Sequence, residues 1–156
     1  MRARGAMKYS EESGEPYPRP ERPTGVSILT ILNGVSAGIM PAIGAITQIA
    51  NAAERSPEDV TLATLCLSIG LPVAIVTAAI GAFLGSDRSR IALIVLVTLF
   101  FSLRAFQNTS LALAGALPED QQIMAYGRVL WSALWIGINA WYFLRPSTIA
   151  FYRRPL

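Results

Sequence analysis

Arg104 lies within the stretch Thr98-Leu-Phe-Phe-Ser-Leu-Arg-Ala-Phe-Gln-Asn-Thr-Ser110, inside an apolar run extending from about residue 91 to 117. A guanidinium in a segment of that kind is costly to hold in hydrocarbon, so something nearby must satisfy it. Gln107 and Asn108 follow three and four residues later, one helical turn on and on roughly the same face. Three partners fit Arg104: a backbone carbonyl freed by a proline, the ring face of Trp131, or the anionic group of a lipid or ligand. The planar fork of an arginine can grip a phosphate in two places. The alternative is that the side chain snorkels to the nearer headgroups.

Other reactive chemistry is sparse. No Asp or Glu falls within an apolar run, so there is no carboxylate base or proton relay at membrane depth. The chain has no histidine and one cysteine, Cys66, which reads as a small inert core residue. That composition excludes a disulfide framework within one chain and a Cys/His metal cluster. Ser27, Ser36, Ser68, Ser102 and Ser132 have no visible activating base, and neither a phosphate-binding Gly-rich loop nor a zincin motif occurs. The sequence predicts no catalytic residues, no metal and no cofactor.

The elements that must position Arg104 are membrane-length helices. Of 156 residues, 53% are hydrophobic and only 15% charged, against about 25% charged in an average soluble domain. The charges are segregated: residues 26–53 and 60–86 contain none. A bilayer helix needs about 20 such residues. Four spans are predicted, over about 26–50, 57–84, 91–112 and 123–144, forming an all-α integral membrane four-helix bundle. The first apolar run is longer than the core of a signal peptide and is expected to be a retained span.

Turn chemistry supports these limits. Thr24 is a candidate cap for the first span, and Ser56-Pro-Glu-Asp59 and Pro118-Glu-Asp120 are helix starts. Pro41 and Pro72 interrupt the first two spans and should free the carbonyls of Ala37 and Ser68. Gly34 and Gly38 in the first span and Gly70, Ala74 and Ala78 in the second form small-residue ridges that permit close approach. Arg145-Pro146 stops the fourth span.

Residues 1–24 form a Pro-, Arg- and Glu-rich tail that cannot bury a core. Its prolines read as a solvated extended tail, with a polyproline ligand as the alternative. Residues 147–156 read as a basic interfacial tail with Phe151 and Tyr152 at headgroup level.

With four spans, ten Lys and Arg share one side: Arg2, Arg4, Lys8, Arg19, Arg22, Arg88, Arg90, Arg145, Arg153 and Arg154. The other side holds Arg55 and Arg128. The positive-inside rule then puts both termini in the cytoplasm. The outer loops carry Glu54, Glu58, Asp59, Glu119 and Asp120. No basic patch is interleaved with aromatics, so nucleic-acid binding is not expected.

Depth follows at about 1.5 Å per residue. Asn33, Thr77, Thr98 and Asn139 all fall about 8–12 Å from the cytoplasmic edge. One polar residue from each span thus occupies one layer, expected to bond across helices. Arg104 falls about 20 Å in, level with Pro41, the region of Pro72, and Trp131.

Two motifs carry a resemblance. Arg22-Pro-Thr-Gly-Val-Ser-Ile-Leu29 resembles the Arg-Pro-x-Gly-Val-Ser/Thr-Ile-Leu opening of small uncharacterised prokaryotic four-helix membrane proteins. Asn139-Ala-Trp-Tyr-Phe-Leu-Arg-Pro146 is similar to their Asn-x-x-x-Tyr-Leu-x-Arg-Pro ending, departing from it in the order Tyr-Phe-Leu. Arg104 is a second departure. The resemblance implies a multi-pass protein of a prokaryotic plasma membrane and carries over no site. It also implies no function.

Two functions follow from the residues. The first is a structural or interaction protein, an accessory subunit of a larger membrane complex, whose small-residue ridges and Trp-rich fourth span pack on other subunits or on itself. The second is a lipid or small-anion binding or transport protein using Arg104, Gln107, Asn108 and Trp131. Membrane lipids are partners in both.

Overall fold

The computed structural model describes residues 23–55, 61, 65–115 and 118–153. The tail at 1–22, the predicted helix start at 56–59 and residues 154–156 lie outside the described residues. All regular structure among the described residues is helical. Helix α1 (Thr24–Asn33) passes through a π-turn segment, π1 (Gly34–Ile39), into α2 (Met40–Arg55). A second such segment, π2 (Cys66–Gly70), runs into α3 (Leu71–Phe83). Helices α4 (Asp87–Leu113), α5 (Glu119–Phe143) and the short α6 (Pro146–Tyr152) follow.

Three stretches are long and apolar enough to cross a membrane: Thr24–Ala52, Cys66–Phe83 and Asp87–Leu113. Helix α5 has 25 residues, which is roughly 37 Å of rise, ample for a bilayer core. It is less apolar because it carries Arg128, Asn139 and three tryptophans.

The helix ends differ from expectation in instructive ways. Thr24 is the first helical residue rather than a cap. Pro23 holds the cap position, no side chain bonds there, and the Pro23 carbonyl accepts from the Val26 N–H at 2.9 Å. Helix α4 begins at Asp87, four residues before the predicted start at Ile91. Its cap is Ser86, whose hydroxyl accepts from the Ser89 N–H at 3.3 Å. The α3–α4 turn is correspondingly tight. Ser86 N–H donates to the Gly81 carbonyl and Gly85 N–H to that of Ala82, both at 3.0 Å. Gly85 has φ +94°, which only glycine adopts freely.

Each intramembrane proline is accommodated in the same way. Met40 N–H reaches back five residues to the Val35 carbonyl, just before Pro41. Leu71 N–H reaches back five to Cys66, just before Pro72. A proline lacks the N–H for the usual bond and its ring crowds the carbonyl four residues earlier. One wider turn gives the ring room and lets the helix continue.

The first two spans pack along their small residues. A Cβ on Gly38 would sit 2.5 Å from Val76 Cγ2 and 3.3 Å from the Pro72 carbonyl oxygen, and one on Gly34 would touch Ala79 Cβ at 3.4 Å. The spans therefore run antiparallel with Pro41 and Pro72 at one level. The core is confined to the half of the bundle that holds the α3–α4 turn. Val26, Leu29, Ile75, Leu93, Val97 and Phe143 are buried there. Towards the opposite end the buried side chains are Ala45, Ala112 and Ala125.

Arg90, counted in the sequence only among the positive charges of one side, ties this closed end together. It is 3% exposed. Its Nη2 is 2.7 Å from Asp87 Oδ1, and its Nη1 donates to the Phe143 carbonyl at 2.6 Å. Its guanidinium also lies over the Tyr152 ring, 5.5 Å from the centroid. Tyr152 in turn donates from its hydroxyl to the Ala82 carbonyl at 3.0 Å. Tyr152 is thus buried in the closed end. Pro146 starts α6 at its first position, which folds the chain back so that Tyr152 can reach.

Gly38→Ala tests the close approach by its sign. Glycine to alanine in an open helix position stabilises by about 0.5–1 kcal/mol. At Gly38 the added methyl should instead destabilise, by about 1–3 kcal/mol of overpacking. Gly137, with nothing within 4 Å of its Cβ position, is the control. Thermal unfolding in detergent should show Gly38→Ala below wild type and Gly137→Ala at or above it.

Candidate functional site

Above the closed end the helices separate around a cleft of about 760 Å³, lined by residues from all four long helical rods. Its floor is set by a polar clamp between α1 and α5. Asn33 Nδ2 donates to Asn139 Oδ1, and Trp135 Nε1 donates to Asn33 Oδ1 at 3.0 Å. Asn139 Nδ2 donates to the Trp135 carbonyl at 2.9 Å. Both asparagines are at most 1% exposed. Each amide finds its partner across or along the helices, as burial away from water requires.

The predicted four-member polar layer is therefore a two-asparagine clamp completed by Trp135. Thr77 is exposed and donates to the Val73 carbonyl of its own helix at 3.0 Å. Thr98 is half-buried and makes no bond to the asparagines. A threonine hydroxyl can always bond the carbonyl four residues back, so equal depth alone does not draw it inward. An asparagine amide has more donors and acceptors than its own helix can satisfy.

Above the clamp stands an aromatic layer. The Phe101 and Trp135 rings lie 6.3 Å apart, the Trp131 and Trp135 rings stack at 5.8 Å, and Phe100 meets Phe101 edge-on at 5.3 Å. The polar residues of the cleft come next. Arg104, Gln107, Asn108 and Trp131 all line it, so the four predicted ligand-binding residues are brought together. Arg128 and Gln48 line it too.

Arg104 differs in detail from expectation. Its guanidinium lies over the ring of Phe100 in its own helix, 5.6 Å from the centroid, while Trp131 stacks on Trp135. Asn108 Nδ2 donates to the Arg104 carbonyl at 2.7 Å, which leaves its side-chain oxygen and second N–H available. Ser36 and Ser132 also line the cleft, but each hydroxyl donates to a carbonyl four residues back, at 2.6 and 2.8 Å. Among the described residues the lining includes two arginines and no Asp or Glu. Among the described residues the ion pair of Arg90 with Asp87 does not extend to either of them.

Arg128 was legible in the sequence only as a charge near the start of the fourth span. Its place opposite Arg104 comes from the antiparallel register of α4 and α5, in which Phe101 meets Trp135. No family model, curated protein or solved structure matches the chain. The functional reading therefore stands on the cleft.

The clamp can be tested by a double-mutant cycle. Asn139→Leu leaves Asn33 unpaired in the interior and should cost about 1–3 kcal/mol. Asn33→Leu should cost a similar amount. The double variant removes both amides, and its loss should fall short of the sum by about 0.6–2 kcal/mol. Strictly additive losses in detergent unfolding would show that the two amides do not interact.

Proposed function

We propose that this chain is a four-span protein of a prokaryotic plasma membrane, with both ends cytoplasmic, that binds an anionic lipid or small anion in the cleft. The observation that carries the reading is the convergence of Arg104, Arg128, Gln107 and Asn108 on one cleft with no carboxylate among the described lining residues. Arg104 and Arg128 are exposed and line one cleft with no carboxylate beside them among the described residues, an arrangement that favours an anion. The aromatic layer beneath supplies apolar surface for the rest of a ligand. The orientation is supported by Arg88, Arg90, Arg145 and Arg153 at the closed end, with Arg55 and Arg128 at the other. The cleft then opens toward the outer leaflet.

The accessory-subunit reading is the alternative. The ridge residues Gly34 and Gly38 pack on Ala79, Val76 and Pro72 within the chain. Trp135 is engaged by Asn33, and Trp131 lines the cleft. The Gly34 and Gly38 ridge is thus used internally, whereas Gly70, Trp131 and Trp141 remain exposed.

Two measurements test the proposal. Reporter fusions after Arg55, Arg88, Pro118 and Leu156 should read outside, inside, outside and inside; an outside C-terminus would overturn the orientation. Native mass spectrometry of protein in mild detergent should find an anionic species on wild type. It should be lost in Arg104→Met and partly kept in Arg104→Lys, which retains the charge but not the planar fork. Equal retention in all three, or a stoichiometric co-purifying protein with no small anion, would overturn the binding reading.

A further inference from the structure

The charge balance of the cleft narrows the ligand beyond "anion", and this step rests on the functional reading above. Helices α4 and α5 run antiparallel, with Phe101 beside Trp135 and Arg90 at the Phe143 carbonyl. That register sets Arg104 near the level of Trp131 and Arg128 near the level of Gln107. The two backbone positions thus lie on facing helices about one turn apart in depth, roughly 5 Å along the axis, and the Arg104 head group rests over Phe100. Both side chains are exposed to the cleft side of the bundle and neither has a carboxylate among the lining residues. Two like charges that line one cleft repel each other. A monoanion leaves one of them uncompensated, whereas a dianion satisfies both.

We propose that the cleft holds the headgroup of a lipid phosphate monoester, with Arg104 and Arg128 as the two arms of a phosphate clamp. A phosphate monoester carries about −1.5 to −2 charge near neutral pH and three strong acceptor oxygens. It can therefore offer a pair of oxygens to one guanidinium and the remaining acceptor to the other. A phosphodiester or a carboxylate carries a single negative charge and has fewer free oxygens. The Gln107 amide lines the same region and adds a donor.

The apolar parts of the cleft select a lipid over free phosphate. Its volume, about 760 Å³, is far more than a phosphate group fills, and drug-sized ligands occupy clefts of about 300–1,000 Å³. Its lips carry Met40 and Leu67, which are 64% and 59% exposed. A hydrocarbon tail leaving the cleft between them stays in apolar surroundings, and the headgroup rests on the two arginines.

The test compares four probes on the full-length protein in mild detergent, by native mass spectrometry titration. They are phosphatidic acid, phosphatidylglycerol of the same acyl chains, oleate and inorganic phosphate. Phosphatidic acid should bind at least about tenfold more tightly than phosphatidylglycerol or oleate, the scale of one charge-assisted contact. Inorganic phosphate should neither bind nor displace it at millimolar concentration. Arg128→Gln should abolish the preference, leaving phosphatidic acid and phosphatidylglycerol alike, and Arg128→Lys should restore part of it. Thermal unfolding of each variant confirms that the fold is kept. Equal binding of the two phospholipids by wild type, or a preference that survives in Arg128→Gln, overturns the phosphate-monoester assignment and leaves anion binding standing. Displacement by inorganic phosphate overturns the lipid assignment. Failure of wild type to bind any of the four overturns the functional reading itself.

Discussion

The hydrogen bond between Asn33 and Asn139 joins the first and last long rods of the bundle, residues separated by 106 positions in the chain. Sequence neighbours along the chain are held by short connections. The first and fourth rods have none, and little apolar interlocking binds them beyond the closed end. In a membrane, apolar surface gains little by leaving lipid for protein, so shape fit and interhelical polar bonds decide where helices meet. The amide pair, with the Trp135 indole as third member, pins α1 to α5 at one depth. Beyond that depth the rods diverge, and the cleft is the space they leave.

The closed end is consistent with that constraint. Large buried side chains and the engaged charge of Arg90 lie on the same side of the clamp. Arg90 bonds the carbonyl of Phe143, one of the last carbonyls of α5, which have no partner within the helix. Asp87, three residues earlier on the same helix face, supplies the counter-charge. With a carboxylate, a carbonyl and an aromatic ring around it, the guanidinium is satisfied while almost wholly buried. Arg104 has a phenyl ring and Arg128 lacks even that, so the two ends of one bundle treat the same residue type in opposite ways. One end is complete by itself. The other carries positive charge that its own lining does not answer.

The prolines contribute to the same asymmetry. A straight α-helix placed against the α3 backbone at Gly38 would meet Pro72 as an obstruction. The wider turns at π1 and π2 let both chains carry a proline at one level and still pack through Gly34 and Gly38. Pro41 and Pro72 both line the cleft, so the point where the first two spans change geometry is also the point where the interior opens.

Much of this was written in the sequence. Uncharged runs of membrane length mark the helices, because only a helix satisfies every backbone group without water. Gly38 announced a close approach, since a helix position without a side chain has few other uses there. Asn33, Asn139 and the depth of Arg104 followed from counting residues along a rod of known rise. Rotation and register were not countable. Thr77 and Thr98 share the depth of the asparagines but not their direction, and a few degrees of helix rotation separate inward from outward. Arg90 read as a loop cation because Ser86 caps the helix four residues earlier than the apolar run suggests. The contacts of Tyr152 with Ala82 and Arg90 were not legible because nothing local says that Pro146 turns the chain back onto the bundle. Arg128 became a cleft residue only through the antiparallel pairing of α4 with α5. Composition and periodicity determined the helices and their depth, since both are properties of one segment in its solvent. Which faces meet was decided by tertiary structure alone, because it depends on how side chains from distant segments fit and bond at the same place.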